Sequence, residues 1–131
     1  MKKCTYKGHQ CHACTYLKET KEIKLKTINW KINKSVNCGD NNIVNLIECN
    51  KENWHMKYVG ETERTMRERF QEHRTYVNQK IFNKPTGEHF NLRGHTMCNM
   101  TITILEKVKI SDTLYIIRMN NNNMCFVPFC A

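Results

Sequence analysis

Short apolar stretches separated by polar turns predict a set of β-strands. Between residues 21 and 36, apolar side chains alternate with polar ones and the pattern breaks near Thr27, which predicts two short strands. A polar turn is followed by a short apolar run of Ile43, Val44, Leu46 and Ile47, which predicts a buried strand. A second run ends at Gly60 and completes a predicted hairpin, and the alternation at 101–108 predicts a further strand.

The clearest helix follows this hairpin. Thr65 and Glu68 have the spacing of a capping box, which satisfies backbone N–H groups at the start of a helix. Four residues then recur on one helical face: Met66, Phe70, His73 and Val77. We expect a loop around Pro85 and the start of a second helix at 112–119. The apolar end of the chain, after residue 123, has no clear place in a core.

Length and charge favour a single domain that binds a polyanion. A chain of 131 residues fits about one domain, and 21 Lys and Arg against 12 Asp and Glu give a net charge of +9. This charge favours a polyanionic partner, with nucleic acid as the leading candidate. The alternative is that the excess of lysine and asparagine reflects AT-rich coding. No apolar run approaches the length of a membrane span, and no apolar segment follows the charges at the N-terminus, so we expect neither a membrane protein nor a secreted one.

Because we do not expect a secreted protein, the eight cysteines point to metal ligation or to incidental thiols rather than to a disulfide framework. Four of them lie in the N-terminal part of the chain and would suit one tetrahedral zinc ion: Cys4, Cys11, Cys14 and Cys38. His9 or His12 could replace one thiolate. The alternative is a segment of unpaired, partly buried thiols, and we expect the remaining cysteines Cys98, Cys125 and Cys130 to be of that kind.

One motif resembles a known nuclease superfamily. The run from Tyr58 to Thr62, YVGET, followed by Arg67, Arg69 and His73, resembles the second signature of the GIY-YIG nucleases. A wider pattern over about residues 4–118 is similar to the endonuclease domain of Penelope-like retroelements, in a degenerate form. It comprises CHAC, Cys38 before IVNLIEC, YVGET, RERFQEHR, EHFNLRGH and ITILEKV.

The resemblance implies a phosphodiester-cleaving site. It makes Tyr58, Arg69 and His73 the catalytic candidates, and it implies substrate contacts at Gly60, Arg67 and Arg74. Arg69 and His73 are four residues apart, so one helical face can present both. The alternative is that Arg69 pairs with Glu72 or Glu61 and that His73 is a histidine at the edge of the core.

Two departures from the family predict impaired cleavage. The family's first signature has a tyrosine where this chain has Asn45, and an amide cannot act as a phenolate base. The family also holds Mg²⁺ or Mn²⁺ with a glutamate on a later helix, but this sequence has no acidic residue after Asp112. Glu106 or Asp112 could substitute only in an unusual geometry, so magnesium or manganese is expected only if the chain is active.

The resembled domain also carries a metal site of two cysteines and two histidines. Cys49, His89 and His95 match three of these four positions and imply a second zinc site. The fourth position falls near Glu52, and His55 on the same connection is an alternative donor. The competing interpretation is that both histidines are ordinary loop residues beside an orphan cysteine.

These features predict an α+β fold with a small antiparallel three-stranded sheet flanked by helices, GIY-YIG-like, and with a Cys-rich N-terminal module. We divide the chain into a Cys-rich module at 1–38, a nuclease-like domain at 39–119 and an atypical tail at 120–131. The expected function is that of a retroelement-derived DNA-nicking domain with impaired catalysis. The alternative is a zinc-stabilised nucleic-acid-binding module without cleavage. We expect an intracellular protein, nuclear if it acts on genomic DNA, and make no prediction of its oligomeric state.

Overall fold

Helices and strands alternate along the part of the chain that the computed structural model describes, which is residues 11–18, 20–25, 28–32, 36–54, 56–108 and 125–127. The helices are α1 (His12–Tyr16), α2 (Met66–Asn78) and α3 (Pro85–His89), with one 3₁₀ turn at Met97–Asn99. The strands are β1 (Glu22–Leu25), β2 (Ile28–Lys31), β3 (Ile43–Cys49), β4 (Lys57–Thr62), β5 (Met100–Lys107) and β6 (Cys125–Val127).

The central sheet has the strand order β5-β3-β4-β6, with every neighbouring pair antiparallel. The largely apolar sequence of β3 fits its central place, because a strand paired on both edges and covered on both faces buries nearly all of its side chains, here with Asn45 and Glu48 as the polar exceptions. The predicted α+β fold, with three antiparallel strands and flanking helices, is confirmed in β5, β3 and β4. The short β6 adds a fourth strand at the edge of β4.

The two faces of the sheet bury different partners. Ile43 and Ile47 of β3 belong to one apolar cluster with Met66 and Phe70 of α2. The intervening Leu46 packs in a second cluster with Ile23 and Ile32, which lie at the open end of the β1-β2 hairpin. Alternate residues of a strand point to opposite faces, so the helix and the hairpin cover opposite sides of the sheet.

Helix α2 begins as its capping signal predicts. The Thr65 hydroxyl accepts a hydrogen bond from the Glu68 N–H at 3.2 Å. The buried residues of α2 are the four that the helical spacing identifies: Met66, Phe70, His73 and Val77. This helix therefore presents its opposite, polar side to solvent and its edges to the neighbouring loops.

Helix α3 replaces the loop that we predicted around Pro85. Proline at the first helical position costs no hydrogen bond, because that N–H has no helical partner. The helix packs so closely on the end of α2 that a Cβ on Gly87 would lie 2.2 Å from the Ile81 carbonyl oxygen and 2.9 Å from that of Tyr76. Only glycine permits this approach, which brings the following residues to the sheet.

Described segments from the N-terminal and C-terminal parts of the chain pack on or pair with the central sheet. Cys11, Cys14 and Cys38 belong to the apolar cluster of the sheet, so the described part of residues 1–38 shares a core with the nuclease-like region. The predicted tail at 120–131 contributes β6, for which its sequence provided no signal. The predicted helix at 112–119 lies outside the described residues. None of the described helices has the length and apolar composition needed to cross a membrane.

Candidate functional site

Three cysteine sulfurs meet between α1 and the turn before β3. The Sγ of Cys38 lies 3.1 Å from that of Cys11 and 3.4 Å from that of Cys14, and the sulfurs of Cys11 and Cys14 are 3.7 Å apart. A disulfide would bring two sulfurs to ~2.05 Å. Zn–S bonds of ~2.3 Å in a tetrahedron place sulfurs about 3.8 Å apart. The cluster is therefore reduced and could hold a metal ion.

Local backbone structure brings these thiols together. Cys11 precedes α1 and Cys14 lies within it, and the Cys14 N–H donates to the Cys11 carbonyl at 3.1 Å. Cys38 sits in a turn where the Asn37 side chain accepts from the Gly39 N–H at 2.8 Å. The Cys38 carbonyl in turn accepts from the Arg67 N–H at 2.9 Å. The thiol cluster is thus joined directly to the first turn of α2.

The other predicted ligands of this centre are not in the cluster. Cys4 and His9 lie outside the described residues. His12 is exposed, and its Nδ1 is 2.9 Å from an Nη of Arg74. The expectation that His12 replaces a thiolate is therefore wrong for this geometry, because its ring is engaged by α2 instead.

A second cluster joins the end of β3 to the segment after α3. Ligand atoms of Cys49, His89 and His95 all lie within 4.8 Å of one another, and all three residues are buried. The sequence proposed this trio, and the fold assembles it: β3 ends at Cys49 and α3 ends at His89. Both histidines are buried members of this cluster, His89 as the last residue of α3 and His95 in the loop that follows.

Hydrogen bonding leaves both imidazoles available as ligands. Nδ1 of His95 is 3.3 Å from the Arg93 carbonyl oxygen, an arrangement that fixes the ring and directs Nε2 elsewhere. The Nε2 atoms of His89 and His95 are buried, and no described residue offers either one a hydrogen bond. Burial, with a smaller contribution from His95, lowers the pKa of His89 to about 4. The neutral imidazole that metals bind is therefore the form present at pH 7.

Trp54 packs against this second cluster, whereas the predicted fourth ligand is not part of it. The Trp54 ring lies edge-on to His95 and His89, with centroid distances of 4.7 and 5.5 Å. Glu52, at the position where the resembled family has its fourth ligand, is exposed and is not in the cluster. His55 lies outside the described residues. One sulfur and two imidazole nitrogens form a donor set typical of zinc.

A cavity of about 370 Å³ lies between the end of β4, α2 and the loop before α3. Its cationic lining residues are Arg64, Arg69 and Lys84, and its carboxylates are Glu61 and Glu72. The cations outnumber the carboxylates, so the cavity is positive. His73 and Tyr76 complete the side that α2 provides.

Glu72 organises the arginines of this cavity. It forms ion pairs with both Arg64 and Arg69, which confirms the alternative interpretation that Arg69 pairs with Glu72. The Arg69 guanidinium also donates to the Tyr76 hydroxyl, and burial is the main reason that the pKa of Arg69 is lowered. The ammonium of Lys84 lies 5.7 Å from the centre of the Tyr76 ring.

His73 is the most enclosed polar residue of the cavity wall. Its side chain is 1% exposed, and its Nδ1 lies 2.9 Å from the Thr86 hydroxyl on α3. Burial, followed by the charge of Arg69, lowers the pKa of His73 to about 3. The imidazole is therefore neutral at physiological pH. It can accept or donate a hydrogen bond but carries no charge.

The remaining predicted site residues lie away from this cavity. Tyr58 is buried in the cluster beneath α2, where burial and the nearby Glu88 raise the pKa of its phenol. Gly60 pairs with Asn45 in the sheet. Arg67 borders the Cys38 turn, and Arg74 lines a smaller cavity beside His12. The structure therefore groups Arg69 with His73 but does not add Tyr58, Gly60, Arg67 or Arg74 to them.

The residues that would hold magnesium or manganese do not assemble within the described part of the chain. Neither cavity carboxylate belongs to a group of three potential ligands, and Glu72 is engaged by arginines. Glu106 is exposed on β5, and Asp112 lies outside the described residues. Asn45 is buried, and no described residue hydrogen-bonds its amide. These residues do not fit a hard divalent ion.

Sequence reasoning missed part of the cavity. Glu72 and Tyr76 follow Arg69 by three and seven residues, so the helical spacing that linked Arg69 to His73 also contained them. Arg64 and Lys84 come from loops, and no periodic signal identified them. Trp54 carried no recognised motif either.

Comparison with protein-family models, curated proteins and solved structures gives no match to this chain. Its function therefore has to be argued from the residues of these two clusters and the cavity.

Proposed function

We propose that this chain is a zinc-stabilised DNA-binding domain of the GIY-YIG nuclease type, related to the endonuclease domains of Penelope-like retroelements, with impaired nicking activity. The observation that carries the proposal is the meeting of Arg69 and His73 in one positive cavity beside the end of β4. These two residues are among the three catalytic candidates, with Tyr58, that the resemblance implies.

The cavity offers the chemistry that a phosphodiester requires. A guanidinium binds two phosphate oxygens at once, and Arg64 and Arg69 lie on the same wall. In the ligand-free protein, Glu72 holds both guanidinium groups, so it keeps them oriented and balances their charge. An incoming phosphate would compete with Glu72 for these donors. Lys84 at the mouth adds a further cation without fixed geometry.

Zinc is the metal that suits both clusters. Three thiolates at one centre and one thiolate with two imidazoles at the other are soft and borderline ligands, which zinc accepts and magnesium does not. Each centre joins segments distant in sequence, as expected for structural zinc. Cys11, Cys14 and Cys38 would hold α1 against the start of α2, and Cys49, His89 and His95 would hold α3 against the sheet.

DNA binding without cleavage is the second candidate. It is favoured by the buried Asn45 and by the absence, among the described residues, of a carboxylate group that could hold a hard cation. We propose no hydrolytic step through magnesium or manganese. A domain that acts on genomic DNA would work in the nucleus.

Supercoiled plasmid distinguishes these functions in one experiment. We expect the zinc-loaded protein to shift plasmid and duplex DNA in a gel, and to convert little supercoiled plasmid to the nicked form with Mg²⁺ or Mn²⁺. Strong metal-dependent nicking that Arg69→Ala abolishes would establish an active nuclease and reject the impairment. Absence of any DNA binding at low salt would reject both candidates.

A further inference from the structure

We propose that Thr86 fixes His73 as a neutral Nε2–H tautomer, so that His73 serves the cavity as a hydrogen-bond donor rather than as a base. This inference deepens the proposed function, because the acceptor it implies is an oxygen of the DNA phosphate. It rests on the contact between α2 and α3, the burial of both residues and a count of hydrogen-bond donors.

The contact itself is short and enclosed. Nδ1 of His73 and Oγ1 of Thr86 are 2.9 Å apart, and both residues are 1% exposed. Thr86 belongs to α3, one residue before Gly87, whose close approach to α2 fixes the distance between the helices. His89, three residues further on, belongs to the second cluster of potential metal ligands. The position of the Thr86 hydroxyl is therefore fixed by the packing of Gly87 on α2 and by the position of His89 in the second cluster.

The donor count decides which atom carries the proton. A hydroxyl has one hydrogen to donate, and a neutral imidazole has one N–H and one acceptor nitrogen. Within the described residues, Thr86 Oγ1 has no other side-chain or backbone partner than His73 Nδ1. His73 Nε2 is likewise buried without a described partner.

The two tautomers differ in the number of groups left unsatisfied. If Nδ1–H donates to Thr86, both the Thr86 O–H and the Nε2 lone pair remain without a partner. If Thr86 O–H donates to Nδ1, only the Nε2–H remains. A buried polar group without a hydrogen bond is costly, so the second arrangement is favoured.

The cavity explains why one N–H is left over. His73 lines the same wall as Arg69, and Nδ1 is occupied by α3, so Nε2 is the ring nitrogen that remains for a ligand. An anionic oxygen held by Arg64 and Arg69 would accept from Nε2–H without any change in the charge of His73. A lone pair at Nε2 would instead repel that oxygen.

Nitrogen-15 NMR of the His73 ring in the zinc-loaded, DNA-free protein tests the assignment directly. We expect Nε2 to give the signal of a protonated nitrogen and Nδ1 that of an unprotonated acceptor. A protonated Nδ1 would overturn the proposal. This measurement needs no DNA, so it can succeed even if the proposed function is wrong.

Two substitutions then test the role of the hydroxyl. Thr86→Val keeps the shape but removes the donor, so we expect the Nδ1–H tautomer to become populated and affinity for a short DNA duplex to fall about five-fold. Thr86→Ser keeps the donor and should preserve both the tautomer and the affinity within about two-fold. An unchanged tautomer in Thr86→Val, or equal losses of affinity in both variants, would contradict the proposal. The wild-type spectrum remains decisive if Thr86→Val does not fold.

Discussion

Burial changes what the polar residues of this protein can do. His73 would titrate near pH 6.5 at a surface, but its enclosure between α2 and α3 keeps it neutral. Tyr58 is enclosed in the same manner, and its raised pKa opposes formation of a phenolate. The motif identified both residues as catalytic candidates, yet only His73 reaches the cavity. Sequence spacing located the pair on helix and strand, whereas burial and hydrogen-bond partners depend on the packed fold.

The pH dependence of stability should report the burial of His73. The pKa of His73 is about 3 in the folded state and 6.5 in the unfolded state, so below pH 6.5 the folded state binds fewer protons than the unfolded state. Protonation therefore favours unfolding, and this residue leaves the folded state fully stable only above pH 6.5. Stability should then fall as the pH decreases, by about 2 kcal/mol between pH 6.5 and 5 from this residue alone. The difference in unfolding free energy between wild type and His73→Gln, measured by denaturant titration, isolates this contribution. If the difference in unfolding free energy between wild type and His73→Gln did not change with pH, the lowered pKa of His73 would be contradicted.

Individual elements were predictable to different degrees. The capping box and the helical spacing predicted α2 and its buried residues, and the apolar run predicted β3 as a buried strand. Helix α3 was missed because it has five residues and owes its position to Gly87 against α2, which is a tertiary contact. Strand β6 was missed because its pairing with β4 is equally non-local. The first cluster could be proposed from the cysteine positions and the second only from the family resemblance, and the fold was needed to bring the potential ligands together.

The zinc content of the protein should depend on each of the two clusters independently. Protein purified without chelators should contain about two equivalents of zinc, because each cluster supplies three ligands. Cys38→Ser should remove about one equivalent and loosen the first turn of α2, and His95→Gln should remove about one other. Metal analysis and thermal melting measure both effects.

Cys98→Ser is the matched control for these variants, since Cys98 is exposed and belongs to neither cluster. It should leave the zinc content and the melting temperature unchanged. A preparation without zinc, combined with unchanged melting of Cys38→Ser and His95→Gln, would contradict structural roles for both centres.

At the scale of the whole molecule, the two candidate metal-binding clusters flank α2 and the cavity. The Cys38 turn bonds to the start of this helix, while α3 packs on its end and joins the second cluster through His89. The net charge of +9 provides general attraction to DNA, but it does not locate a binding site. If net charge alone governed binding, every arginine would contribute similarly to the affinity for DNA. If the cavity is the phosphate site, Arg69 contributes more to that affinity than an exposed arginine on a loop.

The most direct test of the account is the affinity of the zinc-loaded protein for duplex DNA at two salt concentrations, compared among wild type, Arg69→Ala and Arg93→Ala. Arg93 is exposed on the loop before His95, so its loss removes the same charge outside the cavity. We expect Arg69→Ala to weaken binding at least about ten-fold, because a guanidinium–phosphate contact is worth ~1.5–3 kcal/mol. Arg93→Ala should cause a smaller loss that fades at the higher salt concentration. Equal losses from the two variants would contradict the cavity as the phosphate site and leave only a diffuse basic surface.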